Sequence, residues 1–338
     1  MKAIEITKPG KVVIKDRLVP KIDENEILVK VKAAGICGSD VHIYHGKNAF
    51  ATYPRVVGHE FVGEVEKVGL QVQNVKVGDR VAIDPVVSCG HCYSCRIGRR
   101  NVCKNLNVLG VHRDGGYQEY IAVAATSAHK LPDNISWEIA AMVEPYTIAA
   151  QVLDRGRLTA TDTVLICGAG PIGLVILQAV KMIGARVAIM DVIESRLKWA
   201  KEMGADLVIN AKTSDMIKEV MEFTNNEGAS LILEATGNVN VLESCIHNIA
   251  SPAGRVVVLG FSTDLVKIPQ VDIMSKELEI IGTRLNNNKF PQVIDWFAKE
   301  LVQPQKILTH TFNFEETQKA FELNDENPES VCKIVLTF

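Results

Sequence analysis

The sequence predicts an α/β protein built in two parts, a mostly β domain interrupted by a doubly wound, parallel-sheet domain. Three observations carry that prediction. The chain has 338 residues, about twice the usual ~150-residue domain. Up to about Thr126 its apolar runs are short, β-branched and separated by turn residues, the pattern of half-buried strands. From about Thr163 the runs become nearly unbroken and alternate with longer amphipathic segments, as strands covered by helices on both faces require.

Taken in order, strands are predicted at residues 3–6, 11–14, 27–31, 61–68 and 77–83. In 61–68 the charges Glu64, Glu66 and Lys67 are set between Phe61, Val65 and Val68, which fits a strand with one wet face. A second set falls at 164–167, 187–190, 207–209, 231–233, 256–259 and 279–281. Helical segments lie between them, such as 193–203, where Leu197, Ala200 and Met203 share a face. After about Phe290 come a helix-like 290–301 and strands near 308–314 and 331–338. The tail is therefore expected to return to the first domain, whose sheet can accept a last strand. The expected division is 1–150 with 290–338 for the first domain and 151–289 for the second.

Composition excludes several classes. Lys+Arg of 37 against Asp+Glu of 40 leaves a formal charge of −3, which offers no basic surface for nucleic acid or acidic membrane. A hydrophobic content of 47% with 23% charged residues argues against extended disorder. The most apolar stretch, 164–180, is broken by Gly168, Gly170, Pro171 and Gly173 and closed off by Asp162 and Lys181. A strand running into a helix explains it better than a membrane span. The first eight residues alternate charged and apolar side chains and lack a signal peptide's apolar core. A cytoplasmic location is expected, where the eight cysteines stay reduced and clustered ones point to metal.

Gly168-Ala169-Gly170-Pro171-Ile172-Gly173 follows a predicted strand and opens a predicted helix, the context that gives a Gly-x-Gly-x-x-Gly pattern meaning. The first glycine allows the tight turn, the second a close approach of a pyrophosphate, and the third tight packing of helix on strand. The helix N-terminus then offers free N–H groups to the phosphates. Asp191 ends the next predicted strand, at about the ~20-residue offset of an acid that binds ribose hydroxyls. Its charge repels a 2′-phosphate and favours NAD over NADP. Arg196, on the following helical segment, joins this set of cofactor-binding candidates. The structural alternative is a glycine turn beside a surface aspartate.

Cys89, Cys92, Cys95 and Cys103 lie within fifteen positions, separated by two two-residue gaps and one of seven residues. Such spacing lets four thiolates converge on one tetrahedral ion. Four thiolates fill the shell, so the expected role is structural, a clamp for a lobe at about 88–104 too short to have its own core. His91 reads as a loop residue and not as a ligand. Cys167, Cys245 and Cys332 fall in apolar segments and read as core thiols. A second set of metal-binding types lies in Gly35-Ile36-Cys37-Gly38-Ser39-Asp40-Val41-His42 and Gly58-His59-Glu60-Phe61: one thiolate, one imidazole and one carboxylate. Together these are able to hold a catalytic zinc with an open position. Singly, each reads as structural.

With these motifs in this order and spacing, the chain resembles the zinc-dependent medium-chain alcohol and polyol dehydrogenases along essentially its whole length. The resemblance implies a GroES-like, β-rich catalytic domain interrupted by a Rossmann domain. It implies two zinc ions per subunit, one catalytic and one structural, NAD as cofactor, and a homodimer or homotetramer. Cys37 and His59 match the catalytic zinc ligands, and Glu60 matches the acid beside the histidine. Where one subgroup of alcohol dehydrogenases has a second cysteine, this chain reads Met142-Val143-Glu144-Pro145. Glu144 resembles the polyol, sorbitol and threonine dehydrogenase branch. Zinc with the Cys37 thiolate, neutral His59 and one carboxylate is electrically neutral, and a second carboxylate would weaken its pull on a substrate oxygen. One glutamate is therefore expected to bind directly, and the other through water or in alternation. The family chemistry is zinc-assisted loss of a hydroxyl proton and hydride transfer to NAD⁺. Ser39 matches the hydroxyl that relays the proton through the cofactor's ribose to His42 and solvent.

The segment 39–46 resembles polyol and sugar-acid dehydrogenases, the segments 53–60, 84–92 and 284–291 resemble bacterial enzymes that oxidise C5 of hexonates, and the resemblance implies an L-gulonate or L-galactonate 5-dehydrogenase. A sugar acid needs cations for its carboxylate. Arg284 matches an arginine of the polyol branch, and Arg113 and Lys289 are further candidates. A polyol or L-threonine dehydrogenase is the nearest alternative. A catalytically silent nucleotide-binding regulator is the alternative from another class, and the full set of Cys37, Ser39, His42, His59, Glu60 and Glu144 argues against it.

Overall fold

The computed structural model describes all 338 residues, which form two compact units. The first comprises Met1–Thr147, Asn286–Glu300 and Pro304–Phe338; the second comprises Ile148–Leu285 and Leu301–Gln303.

The first unit is built on a seven-stranded sheet whose central strand is Glu26–Gly35. One edge of this strand pairs with Glu60–Val68 along its length. Its other edge is shared, Tyr120–Ala124 taking the first half and the C-terminal strand Lys333–Thr337 the second. This register sets Gly35 opposite Glu60 on one side and opposite Val335 on the other. A smaller sheet orders Lys11–Asp16, Lys2–Lys8 and Arg55–Val56. Ile4, Ile6, Ile27, Val29, Phe61, Tyr117, Phe321 and Leu336 meet in one core, and burial of such side chains stabilises each by about 1.5–3 kcal/mol. The strand expected at 77–83 begins only at Arg80. Its first residues form a turn in which Gly78 takes φ +85° and the Lys76 amide donates to the Asp79 carboxylate at 2.9 Å, leaving Val77 exposed.

The second unit is a six-stranded parallel sheet in the order Leu207–Asn210, Arg186–Asp191, Thr163–Cys167, Ala229–Glu234, Ala250–Val258 and Glu279–Gly282. Its middle strands are apolar and buried over residues 164–167 and 231–233, as helices on both faces demand. The order reverses between Thr163–Cys167 and Ala229–Glu234, and in such sheets the crevice at the reversal is where nucleotides bind. No helix of the chain is long and apolar enough to cross a membrane.

Candidate active site

The first group is assembled around a buried aspartate. Cys37 is the N-cap of the helix Gly38–Tyr44. Asp40, at the third position of that helix and fully buried, accepts the Cys37 amide through Oδ2 at 2.9 Å. Through Oδ1 it accepts the Gly58 amide at 3.2 Å. One carboxylate therefore pins the two segments that carry Cys37 and His59. Gly58 has φ +92°, and a Cβ there would stand 2.1 Å from Cδ1 of the Tyr117 ring, so no other residue fits. Asp40 Oδ1 also faces His59 Nδ1 at 3.5 Å. That orientation leaves Nε2 free for a metal. Glu60 opens the strand Glu60–Val68. Burial opposes charge on His59, but Asp40 and then Cys37 outweigh it and raise the imidazole well above its usual value.

Ligand atoms of Cys37, His59 and Glu60 all lie within 4.8 Å of one another. A thiolate, an imidazole and a carboxylate fit zinc, and three protein donors are the number a catalytic site keeps. Glu144, in the first turn of the helix Val143–Gly156, is not a member of this group. It is near enough for the charges of His59, Glu60 and Lys333 to act on it. Burial pushes its carboxyl up to about 8; His59 and Lys333 oppose the rise, and Glu60 adds to it.

Lys333 is a buried cation beside this group that the sequence reading did not single out. It lies in the C-terminal strand, its side chain 4% exposed, and forms an ion pair with Glu60 Oε2. Its Nζ also donates to the Ile36 carbonyl at 3.0 Å. Burial works against its charge, yet Glu60 and Cys37 hold its pKa above the ordinary lysine value. The charge count made from the sequence omitted this ammonium. Zinc, Cys37, Glu60, Glu144 and Lys333 together sum to zero with both carboxylates ionised, so net charge does not by itself limit the site to one.

Ser39 lies on the same helix as Asp40. Its Oγ is buried and reaches no protein partner, as a hydroxyl that bonds to something bound in the site must be. His42, three positions on and so on the same helix face, is exposed.

The four-cysteine loop is closed. Cys92 Sγ stands 3.5 Å from Cys95 Sγ and 3.8 Å from Cys103 Sγ, and Cys103 is 3.5 Å from Cys89. A tetrahedron with Zn–S bonds of about 2.3 Å has edges of about 3.8 Å, so the cluster fits a structural zinc. Amides of Cys89 and Asn105 donate to Cys103 Sγ at 3.3 Å. The Ser94 hydroxyl, with the Lys104 and Cys95 amides, pulls Cys92 down to about 5. Desolvation and the neighbouring thiols push Cys95 up to about 11. Metal uptake must displace the protons that remain. His91 is exposed, and its Nδ1 meets the Cys89 carbonyl at 2.8 Å.

In the second unit the strand Thr163–Cys167 turns at Gly168, φ +101°, into the helix Pro171–Ile183, capped by Gly170 with Pro171 at its first position. A Cβ on Gly173 would fall 1.8 Å from the Gly168 carbonyl oxygen, whereas nothing lies within 4 Å of one on Gly170. Gly173, the third glycine of the motif, is thus required by packing, and Gly170, the second, faces open space at a helix N-terminus. Ile172 lies in the first turn. Asp191 accepts the Ala169 amide at 2.7 Å and those of Val192 and Ile193 at 2.7 and 3.0 Å, which ties the glycine loop to the next strand. Arg196, on the helix Glu194–Glu202, has a buried Nε without a protein partner. These residues fit a dinucleotide. Among the substrate candidates, Arg113 and Arg284 are exposed and Lys289 is half-buried.

Residues 23–133 match the alcohol dehydrogenase GroES-like domain family, and residues 171–299 match the zinc-binding dehydrogenase family. The chain therefore belongs to the zinc-dependent medium-chain alcohol and polyol dehydrogenases. It is an oxidoreductase that acts on CH–OH donors, with zinc and NAD as cofactors. It is 48% identical to the starvation-sensing protein RspB of Escherichia coli K12, over 100% of this chain and 99% of that one. A crystal structure of RspB from E. coli CFT073, complexed with NADH, superposes with a TM-score of 0.95 at 47% identity, covering 100% of this chain and 99% of the other. Two further relatives are an L-threonine 3-dehydrogenase of Bacillus licheniformis, 38% identical over 96% of this chain and 95% of its own, and the L-galactonate-5-dehydrogenase of E. coli K12, 32% identical over 100% and 99%.

Proposed function

We propose that this chain oxidises the C5 hydroxyl of a hexonate, L-gulonate or L-galactonate, to the ketone with NAD⁺. The convergence of half-buried Cys37 with buried His59 and Glu60 carries the zinc chemistry. The segments similar to hexonate 5-dehydrogenases and the full-length likeness to L-galactonate-5-dehydrogenase support the substrate.

When bound, zinc acidifies a hydroxyl and NAD⁺ accepts the hydride. In this reading Cys37, His59 and one carboxylate hold the metal, and Glu60 is the nearer of the two. Asp40 faces His59 Nδ1, and burial raises the Glu144 carboxyl above its usual value. Ser39 Oγ would accept the proton that the substrate hydroxyl loses while passing its own, by way of the cofactor's ribose, to His42 and water; the unpartnered burial of the first and the exposure of the second support this. Cys89, Cys92, Cys95 and Cys103 hold the structural zinc. Gly168, Gly170, Pro171, Ile172, Gly173, Asp191 and Arg196 bind the dinucleotide, with Asp191 excluding a 2′-phosphate. Arg113, Arg284 and Lys289 are the candidate cations for the substrate carboxylate. A second reading, L-threonine or polyol oxidation, is favoured by the L-threonine 3-dehydrogenase relative.

The test is to supply NAD⁺ with a panel of hexonates, polyols and L-threonine and follow NADH absorbance. Turnover highest on L-gulonate or L-galactonate supports the proposal. Turnover on threonine or a polyol alone transfers it to the second reading, and no NADH from any member refutes both.

A further inference from the structure

Residues 56–58 lead directly into His59, and a strap at 110–117 holds them along their backbone. The Val56 and Gly58 carbonyls accept the Gly115 and Gly116 amides at 2.8 and 2.7 Å, and the Val57 carbonyl accepts the Tyr117 amide at 3.1 Å. The Val56 amide donates to Asp114 Oδ1 at 3.1 Å, and the Gly58 amide goes to Asp40. Val56, Val57 and Gly58 are all buried, where an unmet backbone group is costly. The strap lies close: a Cβ on Gly115 would stand 2.2 Å from the Gly58 carbonyl oxygen, so this approach requires a glycine. Asp114 adds a side chain to the hold and is itself fixed by two guanidinium groups. Its Oδ1 also accepts Arg55 Nη1 at 3.2 Å, and its Oδ2 accepts Arg17 Nη1 at 2.7 Å. Arg17 is anchored in turn through its Nε by Glu5 Oε1 at 2.8 Å, and Glu5 is buried. The carboxylate that meets the Val56 amide, three residues before His59, is thus held in place from both of its oxygens.

We infer, on the reading that Cys37, His59 and Glu60 bind zinc, that Asp114 is a positioning residue for His59: by fixing the backbone at Val56 it sets where the imidazole meets the metal. A zinc–nitrogen bond is only about 2.0–2.1 Å long, so a backbone that drifts must stretch that bond or draw the other donors after it. Groups outside the ligand shell change metal affinity about 10- to 100-fold when they are removed. Asp114 acts through the backbone and not on the imidazole itself, so the lower end of that range applies. The Val56 amide is neutral, so the place of Oδ1 matters more to this hold than its charge.

The experiment compares wild type with Asp114→Ala, Asp114→Asn and Asp114→Glu in zinc release to a chelator, in melting temperature and in the visible spectrum of cobalt placed in the Cys37–His59–Glu60 site. Release from the four cysteines is the internal control, and Cys37→Ser, which should empty the other site, identifies its phase. Asp114→Ala is expected to lose zinc from the Cys37–His59–Glu60 site about tenfold faster and to alter the cobalt spectrum, with release from the four cysteines unchanged. Asp114→Asn keeps an acceptor for the Val56 amide and should return release close to the wild-type rate. Asp114→Glu keeps the charge but carries it one methylene further out, and should release as fast as Asp114→Ala; it decides the matter if Asp114→Ala fails to fold. A lower melting temperature with wild-type zinc release and an unchanged cobalt spectrum would show a structural role only and overturn the inference, as would equal acceleration at both sites. A wild type that binds only one zinc per chain would overturn the zinc reading itself, and the inference with it.

Discussion

Arg100 joins the four-cysteine loop to the rest of its unit, and its removal should be felt as lost stability. Its Nη1 donates to Asp84 Oδ2 at 3.1 Å and to Asn288 Oδ1 at 3.2 Å, and Nη2 donates to the Val86 carbonyl. Asp84 is 0% exposed; its remaining bonds come from the Val86 amide at 3.0 Å and Asn286 Nδ2 at 3.4 Å. Arg100→Met therefore strands a buried carboxylate. Breaking a buried pair costs about 3–5 kcal/mol. The Arg100 side chain is 25% exposed, so water entering the gap offsets part of that, and the expected loss is about 2–3 kcal/mol. For a unit of this size that lowers the melting temperature by about 4–12 °C. The measurement is calorimetric melting of zinc-replete protein, with zinc content determined so that metal loss is not mistaken for loss of the ion pair. Adding Asp84→Asn removes the stranded charge and should restore about 1–3 kcal/mol through the coupling between the two positions. The reasoning fails if Arg100→Met melts with wild type, or if the double variant is no more stable than Arg100→Met alone.

Three more outcomes follow from the same geometry. Ser39→Ala should lower turnover by about 10²-fold, the range for lost general acid–base catalysis; unchanged turnover with hydride transfer rate-limiting would remove Ser39 from the relay. Asp191→Asn removes the charge facing a 2′-phosphate, a repulsion of about 1–4 kcal/mol, so the NAD:NADP ratio of kcat/KM should fall about tenfold or more, and an unchanged ratio would exonerate Asp191. Asp162 is bonded by the Ser230 hydroxyl at 2.7 Å and the Thr159 amide at 2.8 Å and is ion-paired with Arg255. Burial alone would raise its pKa, but these donors outweigh it and the pKa is lowered. A depressed carboxyl stabilises the fold above its unfolded pKa of about 3.9, and that contribution disappears as pH falls through the lower folded value. Asp162→Asn should thus cost about 2–3 kcal/mol at neutral pH, with the gap to wild type closing below about pH 4; a gap independent of pH would mean that charge is not its source.

How far the sequence revealed the molecule depended on how local each signal was. The fold class was legible because strand burial writes itself into the period of the apolar residues: 61–68 alternates, while 164–167 does not. The strand expected at 77–83 was overextended because Val77 is apolar and β-branched, and that preference yields to the turn made by Gly78 and Asp79. The glycine loop and the four cysteines were legible because each is a contiguous motif whose chemistry is complete within a few residues. The assembly of Cys37 with His59 and Glu60 was less so. It depends on the strand register that sets Gly35 opposite Glu60 and on the Asp40 carboxylate that ties the two segments together. Asp40 stood in plain view between Ser39 and Val41, but its role became visible only when Gly58 was known to be its second partner.

Lys333 was missed for a different reason, and its signal was present. The run Val331-Cys332-Lys333-Ile334-Val335-Leu336 is apolar on both sides of the lysine and does not alternate, so the strand must be covered on both faces. A lysine inside such a strand has no route to water from a short run of neighbours. It has to be paired, because an unpaired buried ammonium is too costly to persist. The sequence therefore implied a buried carboxylate somewhere else in the chain. What it lacked was the address, since the partner lies 273 positions earlier and meets Lys333 only through two neighbouring strand pairings. The same reasoning applies to Asp84, buried at the foot of the four-cysteine loop and answered by Arg100. In both cases a charge in an apolar setting announces a partner, and the fold supplies which one. That places a cation of the chain's C-terminal strand directly against Glu60 and so beside Cys37 and His59.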